Sequence, residues 1–289
     1  MNQSLHQYNP FKRMLFGFAF SPSLESNLHE VVRLAEFFDS ELILLHVGEK
    51  TEEKQKKVSS IVAATAAPSR VIEYHWIPGD PYTTLLDSTE SLSIDLLVLG
   101  AVQHESLFRF YLGSVARKLT RSVKCSVLLL IKPAVERVAC KHVVVSGFKT
   151  STLPNTLFQA FYSAQCLGAN KATVVEEIAN KSVKVSIDDD RSLIRSLRKK
   201  RVLEAEEDRR VAELIDQLPA ALTDSISIQK QAIFGKRGYS IGHYAEVTRA
   251  DLLVMDAPVK TSLLSRVITR DIEFILSDLP SDLLICRAK

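Results

Sequence analysis

The chain has 289 residues, 46% of them hydrophobic and 25% charged, with a net charge of +3. That length suits about two domains of ~150 residues each, and the composition is that of ordinary globular domains. The small net charge argues against nucleic acid or an anionic membrane as a partner, and no apolar run approaches the ~20 residues of a membrane span.

In chain order, Met14 to Phe20 is a continuous apolar run, as expected of a strand buried on both faces. Ser21-Pro22-Ser23 ends it, and Val31, Val32, Leu34, Ala35 and Phe38 then recur at helical spacing. Glu41 to Val47 is a second buried strand, and a polar helix follows from Thr51. Val71 to Ile77 is a third strand. Gly79-Asp80-Pro81 turns into a helix carrying Leu85, Leu86 and Leu92. Leu96 to Leu99 is the fourth strand, Leu107 to Val123 is predicted to be mostly helical, and Val127 to Ile131 is the fifth strand. Strands alternating with amphipathic helices demand a parallel sheet covered on both faces, an α/β fold. Lys132 to Lys141 reads as a linker.

The remainder repeats the first part. Asp95-Leu96-Leu97-Val98-Leu99 and Asp251-Leu252-Leu253-Val254-Met255 lie 156 residues apart, as do Gly79 and Gly235, and Ser126 and Asp282. Met14 to Phe18 and Val143 to Gly147 lie 129 apart, so the second copy holds 27 more residues. A repeat this long is a domain duplication. It predicts two five-stranded parallel sheets, with domains at 1–132 and 142–289 around a linker at 133–141. The repeat also argues against reading Lys12-Arg13 and the apolar run after it as a signal peptide, because the matching run lies deep inside the chain. The extra residues are placed between strands two and three of the second copy, over about 188–210. That stretch mixes Asp188-Asp189-Asp190, a run of cations and Glu204 to Asp208 with a narrow apolar stripe that includes Leu193, Leu197, Leu214 and Ile215. A projecting, charged helix is expected there.

Ligands of open parallel sheets bind beyond the carboxyl ends of the strands. After strand four comes Gly100 to Glu105, and Gly113-Ser114 precedes the next helix. Glycine admits a phosphate to the backbone, a helix N-terminus offers N–H groups, and Arg109 could neutralise charge. Gly235 to His243 also opens a helix after a strand, but it is neither G-x-G-x-x-G nor a Walker motif. The four cysteines show no C-x-x-C spacing and read as reduced thiols in a cytoplasmic protein. The seven histidines and the carboxylates form no metal-ligand or triad spacing, so no catalytic or metal site is expected.

Gly100-x2-Gln103-x9-Gly113-Ser114 resembles the G-x2-G-x9-G-[S/T] phosphate loop of the universal stress protein family. Leu44-Leu45-His46-Val47, Gly79-Asp80-Pro81, Asp95 to Gly100 and Leu112 to Ala116 are similar to that family as well. The resemblance implies two tandem flavodoxin-like domains of the adenine nucleotide alpha hydrolase-like class, with strand order 3-2-1-4-5, packed as a dimer packs. It implies a regulatory or stress-adaptation role. It also implies ATP or another adenine nucleotide held by Gly100, Gln103, Arg109, Gly113 and Ser114.

The chain departs from the family pattern in three places. Gln103 replaces the second glycine of the loop. Ala19, and Phe148 in the second copy, stand where ATP-binding members carry an aspartate. The second copy has Asp256 and Thr269-Arg270 in place of the loop glycines. Any nucleotide is therefore expected in the first copy alone. An interaction scaffold that uses the insertion, as a homo-oligomer or with a protein partner, is the alternative reading, and a weak ATP hydrolase is the third. Neither nucleic acid nor membrane is expected as a partner.

Overall fold

The computed structural model describes residues 5–65, 70–103, 110–183, 189–236, 238–257 and 272–288. The first part supplies strands β1 (Arg13–Phe18), β2 (Glu41–Val47), β3 (Ile72–Ile77) and β4 (Leu96–Gly100), a hairpin of β5 (Val102–Gln103) and β6 (Phe110–Tyr111), and β7 (Ser126–Leu130). The second part supplies β8 (His142–Ser146), β9 (Lys171–Ala179), β10 (Ser227–Gly235), β11 (Leu252–Asp256) and β12 (Asp282–Cys286). The helices are α1 (Leu24–Phe38), α2 (Glu52–Ala64), α3 (Pro81–Ser91), α4 (Ser114–Ser122), α5 (Leu153–Leu167), α6 (Asp190–Ile215), α7 (Ala220–Thr223) and α8 (Tyr239–Val247), with a further helical stretch at 272–277.

The strands are apolar throughout because both faces are covered. Met14, Phe16, Leu42, Leu44, Leu96 and Val98 point to one face, with α1, α2 and α5. Leu15, Ile43, Leu45, Leu97 and Leu99 point to the other, with α3, α4 and α8. Successive residues of a strand alternate between faces, so a doubly buried strand reads as an unbroken run.

Two separate sheets were expected, and the structure shows one. Ten strands run β10-β9-β8-β11-β12-β7-β4-β1-β2-β3. Every neighbouring pair is parallel except β12 with β7. The reason is edge protection. The fifth strand of each half would otherwise present a row of unpaired N–H and C=O groups, and pairing the two covers both edges. At this seam Leu128 pairs with Leu284, its own counterpart 156 residues on, flanked by Val127 with Ile285 and Leu129 with Leu283. Such self-complementary pairing is that of a twofold interface.

The strand registers also divide the 27 extra residues. Met14 pairs with Leu42, and its counterpart Val143 pairs with Ala172, so the offset is 129 at the first strand and 130 at the second. Leu42 pairs with Ile72, and Ala172 with Ile228, so the offset reaches 156 at the third. One extra residue thus precedes the second strand and 26 fall between the second and third. Thirteen of those 26 lengthen a helix: α2 has 13 residues and its counterpart α6 has 26. Asp188 lies outside the described residues. The helix expected over Leu107 to Val123 is corrected as well. Phe110 and Tyr111 pair in the hairpin, and α4 begins only at Ser114.

The seam holds a matched pair of hydrogen bonds whose chemistry differs. The Ile131 amide donates to Asp282 Oδ1 at 2.8 Å, and the Arg287 amide, 156 residues on, donates to Ser126 Oγ at 3.0 Å. Burial, with Glu30 and Asp251 adding repulsion, pushes the Asp282 carboxyl up from 3.8 to about 7. The folded chain therefore binds a proton between pH 4 and 7 that the unfolded chain releases. Stability from this group is lost as pH rises through that window and stays lower above it. Asp282→Asn keeps an acceptor for Ile131 and removes the charge. We expect it to raise stability by about 2 kcal/mol at pH 8 and to change little at pH 4, as read from urea denaturation at the two pH values.

Candidate functional site

In each half the strand order reverses between the first strand and the fourth, the point of an open parallel sheet at which ligands bind in a crevice beyond the carboxyl ends. In the first half it lies at the ends of β1 and β4, where the N-termini of α1 and α4 begin. The N-cap residues of those helices, Ser23 and Gly113, make no side-chain capping bond. The first amides of an uncapped helix can donate to an anion. Ser114 opens α4 and is exposed, and Ala19 is exposed just beyond β1.

Gly100 ends β4. A Cβ there would meet Asn27 Oδ1 at 3.0 Å, so the α1 carboxamide leaves little room for a side chain. Asn27 is 6% exposed and donates through Nδ2 to the Ser23 carbonyl at 2.8 Å. The hairpin pairs Gln103 with Phe110 and Val102 with Tyr111, which leads the chain from Gly100 back towards Gly113. Arg109 and His104 lie outside the described residues.

Beside the crevice, the ends of β1, β2 and β3 carry a cluster of rings. Phe20 lies 5.0 Å from His46 and 6.3 Å from Trp76, which it stacks on, and Phe18 lies 5.4 Å from His46. His46 Nδ1 sits 3.1 Å from the Phe18 carbonyl, and Lys54 Nζ stands 5.6 Å over the Phe20 ring. His46, part of the family-like phrase Leu44 to Val47, thus has ring partners from both neighbouring strands. The sequence carried the signal, since three adjacent strands each end in an aromatic or imidazole ring.

The second half is built differently at the same places. Asp256 stands where Gly100 stands, and Thr156 on α5 stands where Asn27 does. The Asp256 carboxylate accepts hydroxyl bonds from Thr150 and Thr156. Burial raises its pKa, and those bonds oppose the rise. A carboxylate of the protein therefore lies beside the N-terminal turn of α5, the position an external anion would seek. Next to it Arg210 of α6 reaches back, donating to the Gly147 carbonyl at 2.6 Å and pairing with Glu176 at 3.3 Å and Glu207 at 2.7 Å. Glu176 is 4% exposed. Burial and a hydrogen bond shared with Glu207 push it up to about 8, against the pull of Arg210. Thr269 and Arg270 lie outside the described residues.

The other motif considered, Gly235 to His243, is also closed to anions. Glu177 accepts from the Gly238 and Ile241 amides at 2.8 Å each, so the start of α8 already holds a carboxylate. A separate cleft of about 880 Å³ opens by the linker between Glu30, Cys140, Asp251 and Asp282. Its lining mixes these carboxylates with Lys132, Arg137 and Arg249, and none of Ala19, Gly100, Gly113 and Ser114 lines it. Among the described residues no cluster of His, Cys, Asp or Glu could hold a metal ion, and no helix is long and apolar enough to cross a membrane.

Residues 48–130 match the family model described as "Universal stress protein family". That stretch includes β3, β4, Gly113, Ser114 and β7. Among curated proteins, the universal stress protein Sll1388 of Synechocystis is 30% identical over 91 residues, which are 32% of this chain and 59% of that protein. The chain thus spans little more than half the length of that relative. Among solved structures, a universal stress protein from Archaeoglobus fulgidus superimposes with a TM-score of 0.66 at 16% identity, covering 96% of this chain and 98% of that one. A functionally unknown protein, PA1789 from Pseudomonas aeruginosa, gives 0.68 at 15% identity over 99% and 95%. At such identities the structural likeness establishes the α/β fold over the whole chain.

Proposed function

We propose that this chain is a tandem universal stress protein, with units at 1–132 and 142–289, that responds to an adenine nucleotide held by its first unit only. The observation that carries the reading is the exchange of Gly100 for Asp256 between equivalent crevices. In the first unit the strand end carries no side chain beside two uncapped helix starts, Ser23 on α1 and Gly113 on α4. In the second a buried carboxylate lies beside the corresponding start. The phosphates would lie on the amides of Ser114 and the residues after it, with the Ser114 hydroxyl as a further donor and Arg109 as a counter-charge. Among the described residues no cluster of metal ligands stands at the crevice, and we read the role as binding, with weak ATP hydrolysis as the third reading.

Titration calorimetry with ATP tests the site. Gly113→Asp sets a carboxylate against the phosphate position and should weaken binding by about 10- to 100-fold. Ser114→Ala removes one donor and should cost about threefold to tenfold. Affinity unchanged in Gly113→Asp would remove the phosphate from this helix start. Gln103 and Ala19, which replace a glycine and an aspartate of the family pattern, favour a second reading, a scaffold without nucleotide. Absence of any heat or bound nucleotide in the wild type would select it.

A further inference from the structure

We propose that the first three turns of α6 form a docking surface for an anionic lipid bilayer. The net charge of +3 conceals a sharp segregation here. Six cations, Arg191, Arg195, Arg198, Lys199, Lys200 and Arg201, fall within eleven residues that contain no carboxylate, between Asp188-Asp189-Asp190 at the start of the helix and the acids that resume at Glu204.

The helix is also inverted. It buries Ser192 and Ser196, at 4% and 6% exposure, against its own fold. It turns Leu193, Ile194 and Leu197 outward at 42%, 49% and 50%, and Val202 beyond them at 55%. Leu193 and Leu197, at i and i+4, share one strip of the helix, and Ile194 flanks it. Arg191, Arg195, Arg198 and Arg201 are exposed around that strip.

The segment is held firmly enough to present this face. Asp189 and Ser192 form a capping box, with Ser192 N to Asp189 Oδ1 at 2.7 Å and Asp189 N to Ser192 Oγ at 3.0 Å. Lys200 Nζ sits 5.2 Å over the Phe234 ring. Farther along, Val211 is fully buried and Leu214 and Ile215 pack on the core, so the last turns of α6 are anchored to the fold. The apolar stripe read from the sequence therefore splits. Its C-terminal part faces the fold, and its N-terminal part faces water.

Charge selects the occupant. A second copy laid stripe to stripe would bring the exposed cations Arg191, Arg195, Arg198, Lys199 and Arg201 against the same five. A nucleic acid would neutralise the cations and leave the aliphatic side chains in water. A bilayer of anionic lipid accepts both, with the cations at the phosphates and the aliphatic strip at the acyl boundary, and it needs no groove.

Flotation of the full chain with vesicles tests this. Vesicles of phosphatidylcholine mixed with phosphatidylglycerol should carry the protein, and pure phosphatidylcholine vesicles should not. Added salt should weaken the binding. The pair Arg195→Glu and Arg198→Glu should lower it roughly tenfold or more, and Leu193→Ser with Leu197→Ser about tenfold, with thermal melts unchanged because these side chains are exposed. Equal binding to both kinds of vesicle, or none to either, overturns the proposal. So does binding to a DNA duplex that ignores the leucine changes, or a dimer that the leucine changes abolish.

Discussion

Replacing Leu284 by Asp is expected to destabilise the protein by at least about 4 kcal/mol. Leu284 is 2% exposed and pairs with Leu128 at the centre of the seam. The change forfeits the burial of a leucine, about 1.5–3 kcal/mol, and sets a carboxylate in an apolar layer with no partner. A single domain commonly has only about 5–15 kcal/mol in all. Apolar residues of both halves share one core on each face of the sheet, so the loss should reach both halves. Urea unfolding should shift to a much lower midpoint for probes in either half. A shift confined to residues after the linker would mean that the halves are energetically separate and the seam is a minor contact.

The second large effect concerns the helices over the seam. Tyr162 of α5 is 1% exposed, lies 6.0 Å from the Phe11 ring and 6.2 Å from the Phe38 ring, and donates to the Phe38 carbonyl at 2.8 Å. Each of those partners belongs to the first half. Tyr162→Ala should cost about 3–5 kcal/mol through the cavity it leaves, whereas Tyr162→Phe should cost about 1 kcal/mol for the hydrogen bond alone. Thermal and urea denaturation of the two variants separate packing from hydrogen bonding. Equal losses would mean that the hydroxyl, rather than the ring, holds the halves together at this point.

The strands were legible because each is buried on both faces, so Leu42 to Leu45 or Leu96 to Leu99 reads as an unbroken apolar run. The repeat was legible for the same reason. The joining of the sheets was not, because Leu128 and Leu284 carry the same apolar signal whether they lie at an edge or a seam. The division of the insertion escaped notice because the shared phrases begin again only at Gly79, beyond both gaps. The hairpin at Val102 and Tyr111 has two residues per strand, too few for any period to show. At the site, Asp256 stood out in the sequence as a charge opposed to phosphate, and the structure adds the threonines that hold it. Arg210 did not stand out. It is one cation among many in a charged helix, and its partners Glu176 and Gly147 lie 34 and 63 residues away, joined only by the fold.

Nucleotide stoichiometry tests the central claim most directly. Native mass spectrometry of the full chain with ATP, on the wild type and Gly113→Asp, counts the bound molecules. If the first crevice alone is open, the wild type should carry one nucleotide per chain and Gly113→Asp none. Two per chain, or one that survives Gly113→Asp, would place nucleotide in the crevice that Asp256 and Arg210 fill and would contradict the account.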